Sequence, residues 1–148
     1  MADSIRELIF AALETVLRSI PGIGDVTRGK LDPLSVRSHP AACVAPGTDT
    51  VVEYLGTLVD RQLTVYTFLW IKSQTNIDKE IEAFLPKVQK ALAAQGEPDQ
   101  RLGGLVKDIT ETAVHEPLPL NDDETDAGVI LEHAVIYRVA RLDPYSQI

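Results

Sequence analysis

The sequence predicts a single α+β domain, a mostly antiparallel β-sheet with two α-helices packed on one face. Two segments, one at the start and one in the middle of the 148 residues, place apolar residues at helical spacing. The segments between and after them are rich in β-branched and aromatic residues. No βαβ repeat with phosphate-binding glycines occurs. The length is typical of one domain, so residues 1–148 are expected to form a single unit.

The opening segment is an amphipathic helix by its spacing, because apolar residues recur at three- and four-residue steps over 5–20. Ser4 and Glu7 fit a capping box, in which the serine hydroxyl accepts from an early amide and the glutamate reaches back. Pro21-Gly22 is expected to end this helix. Its apolar stripe needs a partner, and a sheet is the available one.

Most of the remaining chain alternates between strands and loops. In order, the sequence predicts a short strand at 23–27, a long loop at 30–40, strands at 41–45, 50–54 and 58–72, and two closing strands at 105–114 and 129–140. Pro46-Gly47 is expected to end the strand before it, and the closing strands to pair as an antiparallel hairpin across an acidic loop at 117–128. A second helix is predicted over 77–94, capped by Asn76, with Pro86 kinking or splitting it.

The strand at 58–72 is apolar on both of its faces. One face includes Leu63 and Val65, and the other includes the aromatic row Tyr66, Phe68 and Trp70. Two helices suit one face of a sheet. The aromatic row is therefore either core packing within the chain or a surface that a neighbouring subunit buries, and both interpretations stay open.

Composition limits the classes of function. The formal net charge is −8, with 22 acidic residues against 14 basic ones, which disfavours specific binding to DNA phosphates. Cys43 is the only cysteine, so no intramolecular disulfide forms and a reducing cytoplasm is favoured. Asp3 stands where a signal peptide has lysines, and no apolar run approaches the roughly 20 residues of a membrane span.

No residue pattern predicts a catalytic, cofactor-binding or metal site. His39 and Cys43 lie near each other in sequence, but a zinc site needs about four ligands and the other histidines lie far along the chain. The acidic stretch 121–128 does not fit a calcium loop. His133 alternates with core residues and is expected to be a sheet histidine, and no serine has G-x-S-x-G surroundings. The chain is therefore not expected to be an enzyme or to hold a cofactor.

The order of segments resembles the tail terminator proteins of long-tailed bacteriophages, also called tail completion or minor tail protein U-like proteins. The shared features are the size, the opening helix 3–19, the irregular stretch after it, the long strand 58–72, the later helix 77–92 and the closing hairpin. The closing sequence, with its aspartate-proline-tyrosine ending, is also similar to that family; it reads Tyr137-Arg138-Val139-Ala140-Arg141-Leu142-Asp143-Pro144-Tyr145.

The resemblance implies a structural protein without catalytic residues. It implies a ring, usually of six subunits, that caps the finished tail tube, ends tail polymerisation and offers a surface for the head. The implied partners are further copies of the chain, the tail tube protein, and sheath or neck proteins. DNA would pass through the ring without specific binding, and no membrane is involved. The implied location is the head-proximal end of the virion tail, with assembly in the host cytoplasm.

Seven residues are candidates for subunit or tube contacts. Tyr66, Phe68 and Trp70 are expected in ring or core packing, and Arg138, Arg141, Asp143 and Tyr145 in salt-bridged or tube-facing contacts. Two alternatives remain. One is a neck or head–tail connector protein of a bacteriophage, and the other is a small ligand-binding or enzymatic α+β domain.

Overall fold

The elements of the chain pair into one five-stranded sheet with helices on one side. The computed structural model describes residues 3–29, 39–73, 75–120 and 126–147. In chain order the elements are α1 (Ile5–Arg18), β1 (Val26–Arg28), β2 (Ala41–Leu55), β3 (Leu58–Lys72), α2 (Ile77–Ala94), α3 (Arg101–Gly104), β4 (Asp108–Pro119) and β5 (Asp126–Ala140). The strand order is β1-β2-β3-β5-β4. Only the β1–β2 pairing is parallel among these strands, so the predicted α+β class with a mostly antiparallel sheet is confirmed.

The first helix begins where the sequence predicts. The Ser4 hydroxyl accepts a hydrogen bond from the Glu7 backbone N–H at 3.1 Å, so half of the capping box forms. The other half does not, because the Glu7 carboxylate binds the guanidinium of Arg28 in β1. The buried stripe of α1 consists of Ile5, Ile9, Phe10, Leu13 and Leu17.

The second helix also has the predicted bounds and cap. The Asn76 side-chain oxygen accepts from the Lys79 backbone N–H at 3.1 Å. Pro86 does not split α2, which runs from Ile77 to Ala94 as one element. Its buried residues are Ile81, Phe84, Val88 and Leu92. Pro86 lies outside this buried stripe, on the exposed side of the helix.

The core lies between the two long helices and the face of the sheet that we call the inner face. Its strand residues are paired across β3 and β5, with Leu63 opposite Val135 and Leu69 opposite Val129. These side chains and the helix stripes form one buried apolar cluster. The opposite face, which we call the outer face, carries the aromatic row of β3. Two helices on one face are thus confirmed.

The prediction that Pro46-Gly47 ends a strand is wrong. One strand, β2, runs through it, with a register shift between Pro46 and Asp49. The Val44 carbonyl accepts from the Gly29 N–H at 2.8 Å, so it points to the β1 side of the strand. By alternation Pro46 faces that side too, beyond the last β1 pair. Its missing N–H therefore removes no hydrogen bond of the ladder.

The closing hairpin is longer than predicted. It pairs antiparallel as expected, but β4 begins three residues later than 105 and extends to Pro119, and β5 begins at Asp126. Residues 105–107 instead follow the short α3, where Leu102 and Gly103 both have positive φ. The predicted loop 30–40 lies outside the described residues except for 39–40, as does the central part of the acidic loop, 121–125.

Candidate interaction surfaces

Trp70 of the aromatic row is covered by its own chain. Its side chain is 7% exposed. The indole Nε1 donates to Asp126 Oδ2 at 3.2 Å, and the ring meets that of His39 edge-on at 5.2 Å between centroids. The core alternative therefore fits this residue, because its apolar surface is already out of water.

Phe68 and Tyr66 lie over glycines of the neighbouring strands and stay partly exposed. A Cβ atom built on Gly128 of β5 would stand 2.6 Å from Phe68 Cζ. A Cβ built on Gly47 of β2 would stand 2.7 Å from Tyr66 Cε2. Each ring thus packs against backbone where a side chain would block it. The outer face retains partly exposed aromatic surface at these two residues.

Arg138 forms an ion-pair cluster within the chain. Its Nε lies 2.8 Å from Asp60 Oδ1, and Lys107 Nζ lies 2.9 Å from Asp60 Oδ2. Hydrogen bonds from Arg138 and Lys107 outweigh burial and lower the pKa of Asp60 to about 2. The cluster ties β3 and β5 to the segment before β4. Within the chain Arg138 is thus paired with Asp60, and its expected role in a subunit or tube contact stays a prediction.

The remaining three candidate residues, Arg141, Asp143 and Tyr145, follow the end of β5. The Arg141 guanidinium stands 4.5 Å above the centre of the Tyr54 ring, a cation–π contact. Asp143 Oδ1 accepts from the Tyr145 backbone N–H at 3.0 Å. The segment is tied to the β2–β3 turn, because the Arg141 N–H donates to the Thr57 carbonyl at 2.7 Å. Asp143 and Tyr145 are exposed.

Sequence reasoning missed a group of exposed apolar residues, on both faces, near the end of the β2–β3 hairpin. We call it the hairpin-tip patch, and it consists of Val51, Val52, Tyr54, Leu55 and Leu142. Val52 is 55% exposed, Tyr54 57% and Leu142 95%. Beside it the edge of β2 has no strand neighbour among the described residues, since β1 pairs only with residues 42–44. The two residues Gly56-Thr57 between Leu55 and Leu58 were the sequence signal for this hairpin.

A cavity of about 280 Å³ lies at the same end of the molecule, and sequence reasoning missed it too. We call it the arginine-lined cavity. Its charged and phenolic lining residues are Arg6 of α1, Asp49 of β2, Arg61 of β3, Tyr137 of β5 and Arg141, and its other lining residues include Ser4, Val59, Val139 and Pro144. Three strands (β2, β3 and β5), one helix and the chain after β5 converge there.

Asp49 organises the arginine-lined cavity. Its carboxylate accepts from Tyr137 Oη at 2.7 Å, Arg61 Nε at 2.9 Å and Arg6 Nη1 at 3.3 Å. Burial, followed by the hydrogen bond to Asp49, raises the pKa of Tyr137, so the phenol is protonated and donates. The hydrogen bond to Asp49 likewise raises the pKa of Arg61. Asp49 therefore holds two guanidiniums in fixed positions.

No group of three or more histidine, cysteine, aspartate or glutamate side chains that could hold a metal ion occurs in the described residues. The Cys43 thiol donates to the Gly29 carbonyl at 3.2 Å, and burial raises its pKa. His133 is buried on the inner face, and burial lowers its pKa. No helix in the described ranges is long and apolar enough to cross a membrane.

Comparison with known proteins leaves the family open. No protein-family model matches the chain, and a search of curated proteins gives no match. Chains of solved structures do match, and one belongs to a structure described as the virion of a native gene transfer agent particle. That chain is 8% identical, with 91% of this chain and 92% of that chain covered and a TM-score of 0.49. At this identity and TM-score, the likeness assigns no family and no function.

Proposed function

We propose that the protein is a structural virion protein of a bacteriophage. Copies of it form a ring that caps the finished tail tube, ends tail polymerisation and provides the surface for head attachment. The observation that carries the proposal is the order and extent of the elements on which the resemblance to tail terminators rests. The long strand Leu58–Lys72, the later helix from Ile77 and the closing hairpin all fall in that order.

The surface of the chain suits contacts between unlike faces. A head-to-tail contact joins two different surfaces of identical copies, and it closes into a ring when the rotation between copies divides a full turn. The sheet offers two different edges, namely β2 beyond residue 44 and the outer side of β4. The hairpin-tip patch adds exposed apolar surface next to the β2 edge, and such patches mark protein contacts.

The charge of the chain suits a ring through which DNA passes. A net charge of −8 on each copy repels phosphates, so DNA slides through the ring without sticking. The role we propose is not enzymatic. Among the described residues, the carboxylates of Asp49 and Asp60 each pair with two cations. The Asp49 pairs join β2 to α1 and β3, and the Asp60 pairs join β3 to β5 and the segment before β4.

The test is a capping assay with tail tubes assembled from the tube protein of the same virus. The wild-type chain should bind tube ends, stop further addition of tube subunits, and show rings end-on in electron micrographs. Val52→Glu puts a charge into the hairpin-tip patch and should abolish ring formation without unfolding the monomer. Leu8→Glu is the matched control, because Leu8 is also partly exposed but lies on α1.

Two results would overturn the proposal. One is a wild-type chain that stays monomeric both alone and with tubes. The other is a chain found on tailless heads and absent from headless tails, which would make it a neck or connector protein instead. A Val52→Glu variant that still forms rings would exclude the hairpin-tip patch from the subunit contact while leaving the ring in place.

A further inference from the structure

The arginine-lined cavity concentrates positive charge on an acidic chain. Its lining contains three arginines and one aspartate, whereas the chain as a whole has a net charge of −8. Arg6 and Arg61 share the single carboxylate of Asp49. Arg141 makes a cation–π contact and no ion pair with any residue in the described ranges. The positive charge of the lining therefore exceeds what its own carboxylate neutralises.

The guanidiniums are held in place but keep hydrogen-bonding capacity. Each guanidinium has five N–H donors in a planar fork. Arg61 uses its Nε and Arg6 one Nη toward Asp49, while Arg141 is held over the Tyr54 ring. Donors fixed in this way lose little conformational entropy when they bind a ligand, which favours binding.

We propose that the arginine-lined cavity binds a carboxylate side chain of an acidic polypeptide segment. Arg61 and Arg141 would be its ligands, and Asp49 and Tyr137 would position Arg61. A planar guanidinium fork matches the two oxygens of a carboxylate. This site is separate from the capping role, because it binds a single side chain of an acidic segment in a pocket. Its test measures peptide binding and does not depend on ring formation.

The surroundings favour a polypeptide over a nucleic acid. The cavity, at about 280 Å³, has the size of a pocket for one or two side chains, and Val59, Val139 and Pro144 contribute to its wall. Exposed Leu142 and Tyr54 stand next to Arg141, where apolar side chains beside the bound carboxylate would pack. Nucleic acid needs an extended basic surface to displace counterions, which an acidic chain does not offer.

The experiment measures fluorescence anisotropy of a labelled peptide of about eight alternating glutamate and leucine residues, titrated with the full chain at about 50 mM and 300 mM salt. A peptide with glutamine in place of glutamate is the ligand control. A short DNA duplex and inorganic phosphate serve as competitors. We expect saturable binding of the glutamate peptide that weakens with salt, at least tenfold weaker binding of the glutamine peptide, and little competition from DNA or phosphate.

Arg141→Gln is the decisive variant, because it removes a charge without breaking an ion pair among the described residues. It should weaken binding of the glutamate peptide by about tenfold. Arg61→Gln should also weaken binding of the glutamate peptide by about tenfold. Because this variant also loses the ion pair with Asp49, its fold is checked by circular dichroism. Arg18→Gln is the matched control: this exposed arginine pairs with Glu14 on α1, away from the cavity, and should leave binding unchanged.

Any of the following results would overturn the proposal. The first is no binding of the glutamate peptide at millimolar chain. The second is equal binding by wild type and Arg141→Gln, or equal binding of the glutamate and glutamine peptides. The third is complete displacement of the labelled glutamate peptide by the DNA duplex at a lower concentration than the same peptide without its label requires. That result would mark a nucleic-acid site instead.

Discussion

Gly128→Ala tests whether the Phe68 ring lies against the backbone of β5. Gly128 is buried and does not have a positive φ, so alanine causes no backbone strain there. The added Cβ would stand 2.6 Å from Phe68 Cζ, 3.0 Å from Phe68 Cε2 and 3.4 Å from Leu120 Cδ2. The effect of the substitution is therefore steric, and Phe68 is the main obstacle.

The magnitude follows from the size of the overlap. Carbon atoms pack at about 3.5–4.0 Å, so the ring must move by roughly 1 Å. Overpacking of this kind costs about 1–3 kcal/mol. Because the Phe68 ring is partly exposed and has room to move outward, we expect the lower half of that range. In a Phe68→Leu background the two close ring atoms are gone. There Gly128→Ala should stabilise the strand by about 0.5 kcal/mol, since glycine is unfavourable in a strand.

The assay is urea unfolding of the four proteins of this double-mutant cycle, with the free energy of unfolding from linear extrapolation. The expected coupling energy between the two substitutions is about 1.5–2.5 kcal/mol. As a control, Phe68→Leu should not change the cost of Gly47→Ala, because the close atom there is Tyr66 Cε2. A coupling energy near zero, or a Gly128→Ala variant more stable than wild type, would refute the placement of the Phe68 ring.

Three further predictions concern stability. The free energy of unfolding should fall as pH drops below about 6.5. Burial lowers the pKa of His133 in the folded state, so the imidazole takes up a proton on unfolding. In urea unfolding measured over a series of pH values, His133→Gln should make the free energy of unfolding less dependent on pH in this range. Asp60→Asn should lower the free energy of unfolding at pH 7 by about 1–2 kcal/mol in urea unfolding. The carboxylate pairs with Arg138 and Lys107, and the partial exposure of these two cations keeps the loss small. The pKa of Asp60 is lowered to about 2 in the folded state. The ionised Asp60 carboxylate therefore contributes fully to the free energy of unfolding above about pH 4, and this contribution is lost as the pH falls through about 2. Asp60→Asn should lack this loss of stability in acid. Ser4→Ala should cost about 1 kcal/mol in thermal unfolding, and an unchanged melting temperature would contradict the cap.

The bounds of the long strand and of the second helix could be predicted from local sequence patterns. Leu58–Lys72 is rich in strand-forming residues and follows a turn glycine, and Ile77–Ala94 repeats at helical spacing after a capping asparagine. Pro46 was misinterpreted for a tertiary reason. Whether a proline ends a strand depends on whether its missing N–H faces a neighbouring strand, and here β1 is too short to reach it.

The arginine-lined cavity was beyond sequence analysis for a similar reason. Arg6 and Asp49 are separated by 43 positions, and Tyr137 and Asp49 by 88. No periodicity within one element brings such residues together. Their meeting depends on the register of β2, β3 and β5 and on where α1 begins. Arg141 was expected to contact another subunit or the tube, which stays a prediction, and its contact with Tyr54 inside the chain was not foreseen.

The exposed fractions of the side chains decide which surface would supply the free energy of the proposed ring assembly. Association gains hydrophobic free energy, about 25 cal/mol per Å², only from apolar area that is still in contact with water. Trp70 has almost none left, since Asp126 and His39 already cover it. Val52 and Tyr54 are both more than half exposed, and they lie on a strand whose edge extends beyond β1. In the proposed ring, a neighbouring copy would therefore gain more by covering the hairpin-tip patch than by covering Trp70. Val52→Glu should then impair ring formation more than any substitution of Trp70 that leaves the monomer folded.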